Sequence, residues 1–332
     1  MRLTVPILIL CEFVNRFIEG IFYCCAGINF PPRESRANLR VACVPGRVRK
    51  YSNNNNKSNN LAYYLSGLIE GDGSIYTPKA LRAPDGKLLK PSITVWFASK
   101  DRPSAELLKN IYGGNIYNQS QGTIYWRIQS IASIMEVVNS INGKFRTPKI
   151  HALHALIDFL NAKQNNIIKL SLDTSPLASN AWLAGFIDSD GCFSIKGFTH
   201  KRVYIAIQFY LSQRINDISG ESMEPIMQKI ADFFQVKLGN RAFSEGKFKQ
   251  FVINTSNKTS NQIIIEYLST FPLLSSKFLD YKDWEKANCL YVNKLYKSPE
   301  YYEQIRELKN NMNTKRTTFS WLHHKTDIYD LV

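Results

Sequence analysis

The chain has 332 residues, 44% of them apolar, and 42 Lys and Arg against 27 Asp and Glu, so that 42 − 27 leaves a net charge of +15. The apolar fraction excludes a disordered or low-complexity protein, and the length suits two domains, each large enough to bury a core. The positive surplus points to a polyanionic partner, nucleic acid ahead of an anionic membrane surface, because each Lys or Arg placed on a phosphate releases a condensed counterion.

At the N-terminus, Leu3 to Ala26 is the most apolar stretch, but Glu12, Asn15, Arg16 and Glu19 interrupt it. No segment therefore offers the roughly 18 consecutive apolar residues of a membrane span. Residues 1–50 are rich in Arg and poor in Lys, and Tyr51 to Asn60 is mostly Asn. The first segment is expected to be an N-terminal extension or leader, and 51–60 an Asn-rich linker that buries too little to offset the entropy of ordering. Beyond it Lys, Asn, Ile and Tyr dominate, residues with AT-rich codons, which suits an organellar genome.

The chain repeats itself. Leu65-Ser-Gly67-Leu-Ile-Glu70-Gly71-Asp72-Gly73 returns as Leu183-Ala-Gly185-Phe-Ile-Asp188-Ser189-Asp190-Gly191. The first copy opens with a helix from Leu61 to Gly71, capped by Asn60 and ended by Gly73. Strands follow at Ser74 to Thr77 and Ile93 to Ser99, a helix at Ser104 to Tyr112, strands at Asn115 to Asn118 and Thr123 to Gln129, and helices from Ile131 to Ile141 and His151 to Asn161. The second copy opens with a helix from Ser179, the expected cap, to Ser189. Strands at Cys192 to Lys196 and Val203 to Ser212, a helix at Met223 to Phe234, strands at Val236 to Ala242 and Phe248 to Asn254, and helices at Gln262 to Leu268 and Phe278 to Trp284 complete it. Each half reads αββαββα, an α+β fold class, and two copies imply a pseudo-twofold molecule.

Gly67 and Gly71, and Gly185 and Ser189, lie four apart on the two repeated helices, a spacing that lets two helix backbones approach closely. Glycine inside a helix costs about 1 kcal/mol relative to Ala, so its recurrence at matching places argues for a packing role. Close packing brings Asp72 and Asp190 together at the negative ends of both helix dipoles. Two carboxylates there repel unless a cation lies between them, and a hard divalent ion such as Mg2+ suits oxygen ligands. Helical phase alone does not choose between Asp72 and Glu70.

Aromatic residues on the strands, Tyr76, Trp96, Tyr125, Trp126, Phe193 and Phe209, are expected in the core rather than as stacking platforms. His151, His154, His323 and His324 have no partner at metal-ligand spacing and read as structural or solvent residues. Glu303 to Lys309 reads as a short charged helix with a solvated face.

The paired nonapeptides resemble the signatures of the LAGLIDADG homing endonucleases in their single-chain, two-motif form. The resemblance implies the homing endonuclease fold: motif helices at the interface and two four-stranded antiparallel sheets forming a saddle over the DNA major groove. It implies a first half at 61–165, a linker at 166–178, a second half at 179–300 and a C-terminal tail at 301–332. The metal-binding role carries over to Asp72 and Asp190, leaving Glu70 and Asp188 secondary. Arg146-Thr147-Pro148-Lys149 and Pro272-Leu-Leu-Ser-Ser-Lys277 resemble the segments bearing the family's basic residue, with Lys149 and Lys277 as candidates beside the scissile phosphate. Gln213 matches a water-organising position, and Ser99 is its shorter counterpart.

Alternation and resemblance together nominate Lys79, Asn118, Arg127, Gln129, Lys196, Gln208, Lys237, Arg241, Lys249 and Asn254 as DNA-binding residues. The implied activity is Mg2+-dependent cutting of both strands of a long asymmetric DNA site. The alternative is an intron maturase that binds its host intron RNA. The expected partner is double-stranded DNA and not a small molecule, the expected state a monomer, and the expected compartment the mitochondrion, with the chloroplast as alternative.

Overall fold

The computed structural model describes residues 54–332 except 81, 164, 200–201, 244–247, 326–328 and 330–332. The expected extension at 1–50 lies outside the described residues. The first half runs α1 (Asn54–Asp72), β1 (Gly73–Tyr76), β2 (Ser92–Ala98), α2 (Arg102–Tyr112), β3 (Asn115–Asn118), β4 (Thr123–Ile128), α3 (Ile131–Ile141) and α4 (Ile150–Asn161). The second runs α5 (Trp182–Asp190), β5 (Gly191–Thr199), β6 (Arg202–Arg214), α6 (Glu224–Phe233), β7 (Gly239–Phe243), β8 (Phe248–Thr255), α7 (Lys258–Thr270) and α8 (Lys277–Val292), and α9 (Pro299–Asn310) follows. Each half is thus αββαββα with one further helix.

The two sheets share one topology, β1-β2-β4-β3 and β5-β6-β8-β7, with every pairing antiparallel. Alternation decides which face is covered: in β4, Ile124, Trp126 and Ile128 are buried under the helices while Thr123, Tyr125 and Arg127 face the other way. Ser130 and Asn257 cap α3 and α7, their side chains accepting from the amides of Ser133 and Ser260. One continuous apolar core joins the halves through α1 and α5. These two helices touch backbone to backbone. A Cβ added at Gly67 would collide with the Trp182 carbonyl oxygen, and one at Gly185 with that of Tyr64. Gly71 sits instead against the side chain of Ser189.

Several expectations need correction. α1 already begins at Asn54, so most of the run expected to be a linker is helical, and Asn60 lies inside the helix rather than capping it. Packing of the following apolar turns on α5 extends the helix through residues of poor propensity. The second helix is not capped by Ser179: its N-cap position is Ala181, and Asn180 just before it accepts from the Trp182 amide through Oδ1 at 3.1 Å, because Leu177–Ser179 forms a separate short 3-10 turn.

The boundary at 300/301 falls inside α9, and the tail is no solvated appendage. Ile305 and Met312 are buried, and Arg316 bonds Asp280 and Asp283. Tyr329 returns to the first motif helix, its ring against Tyr64 at 5.7 Å. The linker at 166–178 is also tied down: Arg146 forms a buried ion pair with Asp173 at 2.5 Å. The histidines behave as read. His323 stacks on Phe278, His324 Nε2 meets the Leu274 carbonyl, His154 meets that of Leu170, and His151 pairs on the surface with Glu221.

Candidate active site

Both motif helices end on an aspartate, and the next residue starts a strand. Gly191 has extended backbone angles (φ −77°, ψ 152°), so neither glycine acts as a left-handed helix cap. Glycine is needed for close approach instead: a Cβ at Gly73 would stand 2.5 Å from the Ile69 carbonyl oxygen, and one at Gly191 2.8 Å from that of Ile187. This sharp exit leaves Asp72 and Asp190 together at the base of the helix pair. Asp190 Oδ2 reaches within 2.7 Å of where a Gly71 Cβ would be. Burial, and next the charge of Asp190, push the Asp72 carboxyl up to about 7, against the pull of Lys277 and Lys149. Asp190 is likewise raised by burial, opposed by the same lysines and by hydrogen bonds from Ser189 and Gln213.

The cation expected between the carboxylates is supplied in part by the chain itself. Lys149 Nζ donates to the carbonyls of Ile69, Glu70 and Gly73 at 2.7–2.9 Å, and Lys277 Nζ to those of Ile187, Asp188 and Ser189 at 2.8–3.1 Å. Each ammonium closes the C-terminal end of one motif helix, where the dipole is negative. Burial lowers the Lys149 pKa.

Glu70 and Asp188 are the anchors that put these lysines there. Glu70 accepts from the amides of Arg146 (2.9 Å) and Thr147 (2.6 Å), and Asp188 from those of Leu274 (2.7 Å) and Ser275 (3.0 Å). Each anchor also takes a bond from the opposite half: Trp182 Nε1 to Glu70 and Tyr64 Oη to Asp188, both at 2.5 Å. Burial pushes the Glu70 carboxyl up to about 7 despite these bonds. The structure thus separates two carboxylates that helical phase left undecided. Asp72 and Asp190 face the site, and Glu70 and Asp188 face the protein.

Gln213 Nε2 bonds Asp190 Oδ2 at 2.5 Å. Ser99 has no matching place: it is exposed in a 3-10 turn beyond β2. Strand register gives the reason. Gly73 pairs with Val95 and Gly191 with Leu211, so the residue two beyond, Gln213, answers to Phe97. Among the described residues, nothing donates a hydrogen bond to the Asp72 carboxylate.

Of the nominated surface residues, Arg127, Lys196, Gln208, Arg241 and Asn254 lie on the open sheet faces. Gln129 is exposed just past β4, and Lys79 and Lys237 are exposed on loops. Asn118 and Lys249 are on the wrong side. Asn118 pairs with buried Ile124 and bonds Arg102 on the helix side, and Lys249 has the parity of buried Phe251 and Ile253. Arg214 and Gln250 occupy the open face and were missed, although parity with Gln208 and Asn254 marks them. The aromatic expectation divides as well. Trp126, Phe193 and Phe209 are core, whereas Tyr76, Trp96 and Tyr125 share parity with Arg127 or its neighbours and lie on the open face.

The residues present fit a hard divalent cation: an all-oxygen pair of half-buried carboxylates close enough to repel. Among the described residues no cluster of three or more His, Cys, Asp or Glu could hold a metal by itself; a cation at the two carboxylates would need further oxygen ligands from elsewhere.

A family profile described as LAGLIDADG endonuclease matches residues 65–160 and 183–288. The chain is 31% identical to the intron-encoded DNA endonuclease aI3 of Saccharomyces cerevisiae, over 84% of this chain and 79% of that protein. It is 25% identical to the intron-encoded RNA maturase bI4 of the same yeast, over 67% of this chain but 31% of that protein. The fold matches I-SmaMI bound to uncleaved DNA target in the presence of calcium ions, with a TM-score of 0.57, 20% identity and coverage of 76% and 98% of the two chains. Two matched segments, each with its motif helix, its four-stranded sheet and its terminal aspartate, make this chain a member of the LAGLIDADG endonuclease family.

Proposed function

We propose that this protein is a site-specific double-strand DNA endonuclease of the intron-homing kind, with Asp72 and Asp190 holding Mg2+ at the scissile phosphates. The observation that carries the reading is the meeting of these two half-buried carboxylates at the foot of the helix pair, between two sheets whose open faces carry polar and basic side chains. Bound divalent metal would activate water and neutralise charge on the leaving 3′ oxygen. The chain's own residues do the rest. Lys149 and Lys277 keep positive charge beside the carboxylates, where it stabilises negative charge developing on the phosphate. Gln213 orients the Asp190 carboxylate and the water next to it. The P–O3′ bond breaks, leaving 5′-phosphate and 3′-hydroxyl ends.

Because both halves lie in one chain, a monomer completes the site. Similarity to a yeast intron-encoded endonuclease and a composition rich in residues with AT-rich codons favour a mitochondrial reading frame. Asp72→Asn and Asp190→Asn should each lower Mg2+-dependent cleavage by at least about a thousandfold while binding to the same duplex in Ca2+ changes only a few-fold. Unchanged cutting by the double variant would overturn the assignment.

The match to an RNA maturase supports a second role in splicing. Comparing affinity for the host intron RNA with that for the intron-less DNA junction tests it.

A further inference from the structure

We infer that the two sheets read their half-sites by different chemistry: the first packs aromatic edges against thymine methyl groups, and the second pairs arginines with guanine. The inference rests on the DNA-binding reading above and adds the base class that each half recognises.

The open face of the second sheet carries the cations Lys196, Arg214 and Arg241, together with Gln208, Gln250 and Tyr210, whose ring lies under Lys196 Nζ at 4.6 Å. Arginine has the donor fork that matches the two major-groove acceptors of guanine. The open face of the first sheet is different. Its strands carry one cation, Arg127, whose guanidinium lies over the Tyr125 ring at 4.7 Å while its Nε donates to Thr94 Oγ1 at 3.2 Å. Around it the surface is aromatic: Tyr117 stacks on Tyr125 with ring centroids 5.1 Å apart, Trp96 meets Tyr125 at 4.9 Å, and Tyr76 and Tyr117 are 47% and 40% exposed.

An exposed aromatic cluster on a sheet could instead stack unpaired bases, as single-strand binders do. Here the faces of the central ring, Tyr125, are already used. Tyr125 is flanked by Tyr117, Trp96 and Arg127, so a base finds ring edges rather than a free face. In the major groove the feature that an apolar edge recognises is the thymine 5-methyl group, which no other base presents. The first sheet therefore selects thymine by burying methyl groups, and the second selects guanine by paired hydrogen bonds.

The test selects a randomised duplex library on the full chain in Ca2+, which asks only for binding, and then replaces each selected thymine by deoxyuridine, removing the methyl and nothing else. One half-site should be thymine-rich and lose about three- to fourfold in affinity per contacted methyl, while the other should be guanine-rich and tolerate deoxyuridine. Trp96→Ala and Tyr117→Ala should abolish the deoxyuridine effect in the first half-site and leave the guanine preference of the second, and Arg241→Ala should do the reverse. Should Trp96→Ala unfold by circular dichroism, Tyr117→Ala on the edge strand decides. Tolerance of deoxyuridine in both half-sites, persistence of the effect in the aromatic variants, failure to select any duplex, or equal competition by single-stranded oligo-dT would each overturn the inference. Selection with the expected pattern but no cutting in Mg2+ would sink the nuclease reading and leave this one standing.

Discussion

The two halves fold alike yet treat their aspartates differently. Asp190 is held by Gln213 and lies near Ser189 Oγ, whereas Asp72 stands beside Gly71, and Phe97 occupies the register position of Gln213. Burial raises both and Lys149 and Lys277 oppose it at both, but among the described residues only Asp190 takes side-chain hydrogen bonds. Duplicated backbones therefore guarantee a symmetric place for two carboxylates and leave their chemistry to neighbours one strand away. An asymmetric pair suits a monomer that acts on two unlike strands.

The largest expected effect on that contrast is on stability in metal-free protein. A carboxyl raised in the folded state holds its proton more tightly there than in the unfolded chain. Its stabilising contribution is complete below about pH 4 and is lost as pH rises towards 7, the value for Asp72. At about 1.4 kcal/mol per pKa unit the loss is a few kcal/mol. Thermal melts across pH 4–8 should show the fall, Asp72→Asn and Asp190→Asn should each flatten it, and added divalent cation should restore stability at the upper end. A flat wild-type profile would remove the buried repulsion on which the contrast depends.

Next in size, Gln213→Leu should slow cutting of one strand by about ten- to a hundredfold, the scale of one lost positioning donor. Phe97→Gln should narrow the difference between strands. Strand-resolved cleavage rates check both, and equal slowing of the two strands by Gln213→Leu would show that the halves do not act separately.

Smallest is the cross-half anchoring. Tyr64→Phe removes the phenol donor from Asp188, and Trp182→Phe removes the indole donor from Glu70. Each should cost about 1–2 kcal/mol of stability in denaturant titration. If neither variant shifts the midpoint, these bonds do not couple the halves.

Much of this was legible without coordinates, for identifiable reasons. Hydrophobic alternation placed β3 and α3 at their observed bounds, because apolar period is local to the element. Matching glycines on two repeated helices announced a backbone contact that Gly67 and Gly185 make. What failed depended on partners distant in sequence. Asn54 to Asn60 reads as a linker until α5 is there to order the helix that contains it. Ser99 looks like the mate of Gln213 as a polar residue at the end of the second strand, and only the ladder shows that Phe97 takes the place. Lys249 and Asn118 were assigned to the groove by alternation and resemblance, and the strand ladders put both on the helix side instead.

The sequence by itself determined the duplication, the αββαββα order, the helix-end aspartates and the basic surplus, because these follow from local periodicity, glycine placement and charge. Only the tertiary structure decided which acids face the site, that Lys149 and Lys277 close the helix ends, that the tail belongs to the core, and that the aromatics of the first sheet stand on its open face. Those outcomes arise from long-range packing and strand register, which no local pattern encodes.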